Sequence, residues 1–208
     1  MNLKVSLRGT LTFFVGSFIA GAGVGILNSV PWGNDAIAVF ISGMAKTIGI
    51  EFSVMNTVVL VVIVVLTFFL DKKQLSIMTF TSPITSYFAI QFTKLLIPNE
   101  MDFSIISGIV YLAALAILAF GIAVMISADS GKAPYDALIF ALITKTKLQY
   151  YQIRLITDGL FLVIGILLQG KFGFGTIVAI LTVGKMVQFW LKFIKENIGS
   201  TATEEVNV

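Results

Sequence analysis

Val30-Pro31-Trp32-Gly33-Asn34-Asp35-Ala36-Ile37 meets its echo further along the chain, in Ala133-Pro134-Tyr135-Asp136-Ala137-Leu138. Each stretch carries a proline, an aromatic residue and an aspartate, then turns apolar. The two aspartates lie 101 residues apart, and the same offset pairs Thr81 with Thr182, Phe88 with Phe189, Phe92 with Phe193 and Lys94 with Lys195. Self-similarity at a fixed spacing marks a duplicated architecture. How the two copies are oriented decides what kind of machine they build.

Hydrophobicity places both copies in a bilayer. Of 208 residues, 57% are hydrophobic and 12% charged, against about 25% charged in a soluble domain. Charge-free runs over residues 9–34, 52–70, 74–93 and 103–128 reach the roughly 20 residues a helix needs to span hydrocarbon. They are continuously apolar rather than alternating, which selects helices over a β-barrel. The chain has no cysteine and no histidine, so disulfides, thiolate clusters, Cys/His zinc sites and histidine proton relays are excluded. A net charge of +3 reflects membrane topology rather than nucleic-acid binding.

Six spans fit the pattern, at about 9–30, 53–70, 75–97, 104–127, 153–169 and 174–194. The first follows Lys4 and Arg8 as a signal peptide would, but its apolar run is too long and lacks a cleavage site, so it is expected to be retained. Lys72-Lys73, Pro98-Asn99-Glu100 and Gly170-Lys171 mark turns. With the N-terminus inside, the inner face collects Lys4, Arg8, Lys72, Lys73, Lys132, Lys145, Lys147, Arg154, Lys185, Lys192 and Lys195. The outer face keeps Lys46, Lys94 and Lys171. This asymmetry predicts that both termini are cytoplasmic. Three spans separate Asp35 from Asp136, so the copies face opposite sides of the membrane. The expected fold is an all-α polytopic membrane protein: six transmembrane helices in a 3+3 inverted repeat, with short broken or re-entrant helices after the first and fourth spans. Residues 1–195 form one membrane domain (repeats at about 9–97 and 104–195), and 196–208 form a disordered cytoplasmic tail.

The repeated motif reads as a Pro/Gly break, an acidic cap and an apolar helix too short to span. Such a helix is either re-entrant or interfacial, and the sequence leaves both open. Asp35 and Asp136 are then either site residues or simple helix caps, and Trp32 and Tyr135 either site residues or interfacial anchors. A second matched element places Thr81, Ser82 and Pro83 opposite Thr182 and Gly184, with Thr176 at the start of the last span. Paired helix breakers point to a transporter site at the repeat interface. Within the spans, Asp158 follows Arg154 by one helical turn, and Lys185 breaks the sixth span. Intramembrane charges pair with one another or line a wet cavity, unless Arg154 and Lys185 snorkel to the surface. The Gly-x-x-x-Gly spacing in Gly21-Ala22-Gly23-Val24-Gly25 serves close helix packing.

The Gly-rich first span, the repeated Pro-aromatic-Asp segments, and Gly173-Phe174-Gly175-Thr176 with Gly184 resemble the YitT/YczE-like bacterial integral membrane proteins. The resemblance covers residues 8–193 and is closer to the YczE-like branch, since only a short polar tail follows the last span. It implies a bacterial cytoplasmic membrane location and supplies no substrate.

The expected function is therefore transport of a small molecule, anionic if Arg154 and Lys185 set the preference. The site would draw on Asp35, Asp136, Thr81, Ser82, Thr176, Thr182, Arg154, Asp158 and Lys185. Alternatives are the substrate-binding membrane subunit of an ATP-driven transporter and a non-transporting regulatory membrane protein. No Walker loop, acid–base dyad or metal-binding set occurs, so neither an enzyme nor a cofactor is expected. The expected partners are the lipid bilayer, the small-molecule substrate, and a second copy or transporter subunits, with no nucleic acid.

Overall fold

A computed structural model describes residues 7–97, 101–128, 130–146 and 148–198. Among them the regular structure is wholly helical: α1 (Leu7–Ser29), α2 (Ala36–Ile48), α3 (Phe52–Asp71), α4 (Ile77–Leu96), α5 (Ile105–Ser127), α6 (Pro134–Thr146), α7 (Tyr150–Leu167) and α8 (Phe174–Ile198). A single 3-10 turn, Lys72–Gln74, joins α3 to α4. Each of the six expected spans coincides with one of the longer helices, and α2 and α6 are the short ones. Five helices (α1, α3, α5, α7 and α8) are long and apolar enough to cross a membrane. The 20-residue α4 is more polar, carrying Thr79, Thr81, Ser82, Thr85 and Ser86 in its first half.

Local chemistry sets the helix ends. Ser76 and Thr79 form a reciprocal capping box that opens α4, and Ser104 with Ser107 does the same for α5, satisfying N–H groups that would otherwise be orphaned in an apolar phase. Gly49 ends α2 in the left-handed region at φ 79°, its N–H bonded to the Ala45 carbonyl at 2.8 Å. With 13 residues, α2 is about 20 Å long, too short to span hydrocarbon.

At the centre α1 crosses α5, and around this pair α4 packs on α1 and α8 on α5. A second layer places α2 against α7 and α3 against α6, with α3 also touching α4. Glycines make the central crossing close. A methyl placed on Gly23 would lie 2.8 Å from the Leu118 nitrogen, and one on Gly121 would lie 2.4 Å from the Ala20 nitrogen. Gly21 and Gly25 meet α4 at Ser86, Ala89 and Thr93, so the Gly-x-x-x-Gly face packs as expected. The outward face of α3 exposes Val58, Val61, Val62, Val65, Leu66 and Phe69, a continuous apolar surface suited to lipid rather than water.

Several expectations need correction. No breaks occur at Pro83 or Gly184: α4 and α8 each run continuously through them. Pro83 forfeits only its own bond to the Thr79 carbonyl, and Gly184 packs against Tyr151 within a regular helix. The fifth span starts at Tyr150, before the expected 153, because Gln149 and Gln152 cap it. Helix α8 extends to Ile198, so residues 196–198 are helical. Residues 199–208, Lys4, Lys147 and the Pro98-Asn99-Glu100 turn lie outside the described residues.

Candidate functional site

The N-termini of α2 and α6 open onto one cavity of about 100 Å³, with Asp35 and Asp136 both in its lining. The cavity runs beside α1 from Ser17 to Val24, and is closed by Asn56 and Leu60 of α3, Ser82 and Ser86 of α4, Leu118 and Ile122 of α5, and Arg154 of α7. Every helix except α8 contributes to its wall.

Two left-handed glycines aim the motifs. Gly33 (φ 99°) and Gly131 (φ 146°) turn the chain ahead of α2 and α6, a backbone conformation that side-chain-bearing residues rarely adopt. Gly33 also abuts Gly173 and Thr176 at the start of α8, and Gly131 abuts Ser76 at the start of α4. Each short helix is thereby clamped to the capped end of a long one.

Arg154 organises the polar chemistry. Tyr150, Arg154 and Asp158 recur one helical turn apart on α7, so they share a face. The Arg154 guanidinium donates from Nη1 to the Tyr150 hydroxyl at 2.6 Å, and that hydroxyl donates to Asp136 Oδ1 at 2.7 Å. The guanidinium is 3.5 Å from Asp136 and 3.7 Å from Asp158. The Tyr135 hydroxyl donates to Asp158 Oδ1 at 2.5 Å. Both tyrosine rings flank the cation, with centroids 5.5 and 5.9 Å from Cζ, a favourable electrostatic placement. Arg154, Asp136 and Asp158 are all buried, where only paired and hydrogen-bonded charges are tolerable.

Asp35 differs. It stands at the N-cap of α2, yet its side chain makes no capping bond. Its Oδ1 is sealed from solvent and accepts no hydrogen bond, although the residue as a whole is only partly buried. On the α1 side of the cavity, Ser17 and Ser82 hydroxyls are 3.2 Å apart, and Asn56 Nδ2 donates to Ser86 at 3.2 Å.

Of the nine expected site residues, Asp35, Asp136, Ser82 and Arg154 line the cavity, and Asp158 backs it through Tyr135 and Arg154. Four stand apart. Thr81 and Thr182 spend their hydroxyls on the Met78 and Val178 carbonyls of their own helices. Thr176 accepts from the Gly173 N–H as part of the start of α8. Lys185 is exposed on α8: a long apolar stem lets the ammonium remain outside, so it does not join Arg154. The interfacial-anchor reading of Tyr135 fails, since this residue is buried against Asp158. Trp32 stacks on Phe103 and donates to Ser107, away from the cavity. Sequence reasoning missed Ser17, Asn56, Ser86 and Tyr150. Asn56 gave a visible signal as an amide within an apolar span, and Tyr150 gave one through its helical spacing to Arg154.

The chain belongs to DUF6198, a family of unknown function, which it matches over residues 7–192. No curated protein and no solved structure matches it.

Proposed function

We propose that this protein is a multi-pass transporter of the bacterial cytoplasmic membrane, with α4 as its sixth span and both termini cytoplasmic. It carries a small molecule through the cavity between two inverted halves, α1–α4 and α5–α8. The observation that carries the reading is one cavity receiving Asp35 from the first half and Asp136 from the second, each at the start of a short helix. Secondary transporters place sites of this kind at the repeat interface.

The packing supports a two-fold relation. Exchanging the halves turns the α1–α4 contact into α5–α8, α2–α7 into α6–α3, and α1–α5 into itself; all of these contacts occur. Individual residues agree. Gly33 and Gly131 lie 98 residues apart, and the same spacing turns the Gly23–Leu118 approach into Gly121–Ala20. The Ser76–Thr79 and Gly173–Thr176 caps lie 97 residues apart, which makes Thr85, not Thr81, the counterpart of Thr182. Thr85 and Thr182 both bond the carbonyl one turn earlier. The spacing of 101 is local to the aspartates, because the second copy has extra residues between Gly131 and Asp136. The resemblance to YitT/YczE-like membrane proteins favours the same architecture.

Uptake of labelled metabolites into liposomes containing the purified protein tests the reading. Saturable uptake that falls when Asp136 is replaced by Asn is the expected result. Absence of flux across a broad panel, together with stable co-purification of an ATPase, would instead assign a substrate-capturing subunit.

A further inference from the structure

We infer that Asp35 is a proton-carrying group, which holds a proton where its oxygen is sealed and exchanges it through the cavity. This deepens the transporter reading, on which the coupling of that proton to solute movement rests. The proton site itself stands on the geometry around Asp35.

The three carboxyls around the cavity are not equivalent. Asp136 accepts from the Tyr150 hydroxyl and stands 3.5 Å from Arg154. Asp158 accepts from the Tyr135 hydroxyl and stands 3.7 Å from Arg154 Nε. Among the described residues, none donates to the Asp35 side chain or forms an ion pair with it. Its Oδ1 is sealed, and α2 is left without a side-chain cap. The basic groups nearby are engaged elsewhere. Arg154 serves the other two carboxyls, Lys132 acts on Asp136, and Lys171 Nζ donates to the Asn28 carbonyl at 2.6 Å. A carboxylate in such a place gives up hydration and gains no partner, so it takes up a proton instead.

The surroundings set how firmly that proton is held. On α7, Asp158 opposes ionisation of Asp35 and Arg154 favours it. Asp136 and Tyr135 of α6 line the same cavity, and Tyr111 of α5 brings a buried hydroxyl within electrostatic reach. From α1, α3 and α4 the cavity receives only uncharged side chains, Ser17, Asn56, Ser82 and Ser86 among them. Helix α8 meets the turn before α2 through Thr176, also uncharged. On α2 itself the charge is Lys46, in the last turn. Burial first, and then Asp158, push the Asp35 carboxyl from 3.8 up to about 7. The N-terminus of α2 favours the charged form, which keeps the proton exchangeable.

A route for exchange is present too. Asp35 as a whole is only partly buried and lies in the cavity lining. At about 10–15 Å³ of such volume per water, a cavity of about 100 Å³ has room for several waters to relay a proton.

The experiment is infrared difference spectroscopy of the purified full chain over a pH series. At about pH 6 exposed carboxyls are ionised, so a carboxylic-acid C=O band there reports a buried, protonated group. Wild type should show such a band, falling to half its intensity at about pH 7. Asp35→Asn should lack it, and Asp136→Asn should retain it. The inference is overturned if wild type shows no band, if folded Asp35→Asn keeps it, or if Asp136→Asn alone removes it. Should Asp35→Asn not fold, Asp35→Glu decides: the band must move in frequency, and an unchanged band overturns the inference. Thermal unfolding gives a second readout. A carboxyl raised in the folded state keeps its proton after the unfolded chain has lost it, so stability falls as pH rises from 3.8 to about 7. Wild type should lose unfolding temperature relative to Asp35→Asn across that window, and a constant difference or a gain overturns the inference. Liposome uptake separates the two claims. The band without any flux removes the transporter and leaves the proton site. Flux without the band removes the proton site and leaves the transporter. Flux that responds to an imposed pH gradient equally in wild type and Asp35→Asn overturns the coupling.

Discussion

Arg154 and Asp136 stand 3.5 Å apart with the Tyr150 hydroxyl bonded to both. The hydroxyl turns a loose ion pair into a hydrogen-bonded chain, and Asp158 on the other side of the guanidinium lengthens it. Because one cation serves two carboxylates, the network is asymmetric. Removing Asp136 leaves Arg154 with Asp158, whereas removing Arg154 leaves two buried carboxylates facing each other.

Arg154→Gln should therefore destabilise the fold more than Asp136→Asn does. Breaking one side of a buried pair costs about 3–5 kcal/mol in soluble proteins, with smaller couplings inside membranes. Thermal unfolding of both single variants and the double variant in one detergent provides the measurement. The double variant should lose less than the sum of the singles. Strict additivity, or a larger loss from Asp136→Asn, would show that the two side chains do not act as a unit.

Tyr150→Phe removes the bridging hydroxyl and keeps the ring against Phe140, 5.6 Å away centroid to centroid. A hydrogen bond to a charged group contributes about 1.5–3 kcal/mol, and here two are lost together. A clear drop in unfolding temperature is expected. Tyr151→Phe, on the neighbouring and differently facing position, should leave it unchanged.

Most of the fold was legible because lipid imposes a simple rule, that each span be long, apolar and helical. Residue-level register was harder. Under the proposed two-fold relation the offset of 101 fits Asp35 and Asp136 but sets α4 against α8 one turn out. The small residues on which that proposed relation rests, Gly33, Gly131, Thr79 and Thr176, carry little hydropathy signal. Site membership was half legible for a similar reason. Buried charges such as Arg154 and Asp158 announce themselves by their cost, but a serine's fate depends on its neighbour. Thr81 bonds its own helix while the adjacent Ser82 faces Ser17, a distinction that only the rotation of α4 about its axis provides.

The central crossing makes a steric prediction. Gly121→Ala places a methyl 2.4 Å from the Ala20 backbone nitrogen, so α1 and α5 must move apart, at a cost of about 1–3 kcal/mol or more. Gly159→Ala is the matched control. This glycine is also helical, has nothing within 4 Å of the added methyl, and should gain up to about 1 kcal/mol from helix propensity. Opposite signs in unfolding temperature are expected. Equal effects would contradict the close α1–α5 approach.

At the surface, Lys94 Nζ meets Glu51 Oε1 at 2.8 Å, tying the end of α4 to the start of α3. Its hydrogen bond holds the Glu51 carboxyl below the ordinary value of 4.5. A depressed carboxyl contributes stability above its unfolded pKa, and that contribution is lost as pH falls through the lower folded value. Both side chains are substantially exposed, so the pair is worth about 0–1 kcal/mol. Glu51→Gln should lower the unfolding temperature only slightly at neutral pH, and the difference from wild type should vanish in acid. A difference that grows in acid would show that the pair is not the relevant contact.

Lys185 and Arg154 offer the sharpest separation of sequence expectation from structure. Both are basic, both lie in helices and both were expected at the site. Only Arg154 lines the cavity. Lys185→Gln should leave ligand binding and unfolding temperature unchanged, as expected for an exposed charge. Arg154→Lys keeps the charge but loses the planar fork that reaches Tyr150, Asp136 and Asp158 together. It should weaken binding about tenfold or more, the loss expected for one charge-assisted hydrogen bond. Titration of both variants with the same ligand, after matching their elution profiles, makes the comparison. If Lys185→Gln weakens binding as much as Arg154→Lys, the site extends onto α8.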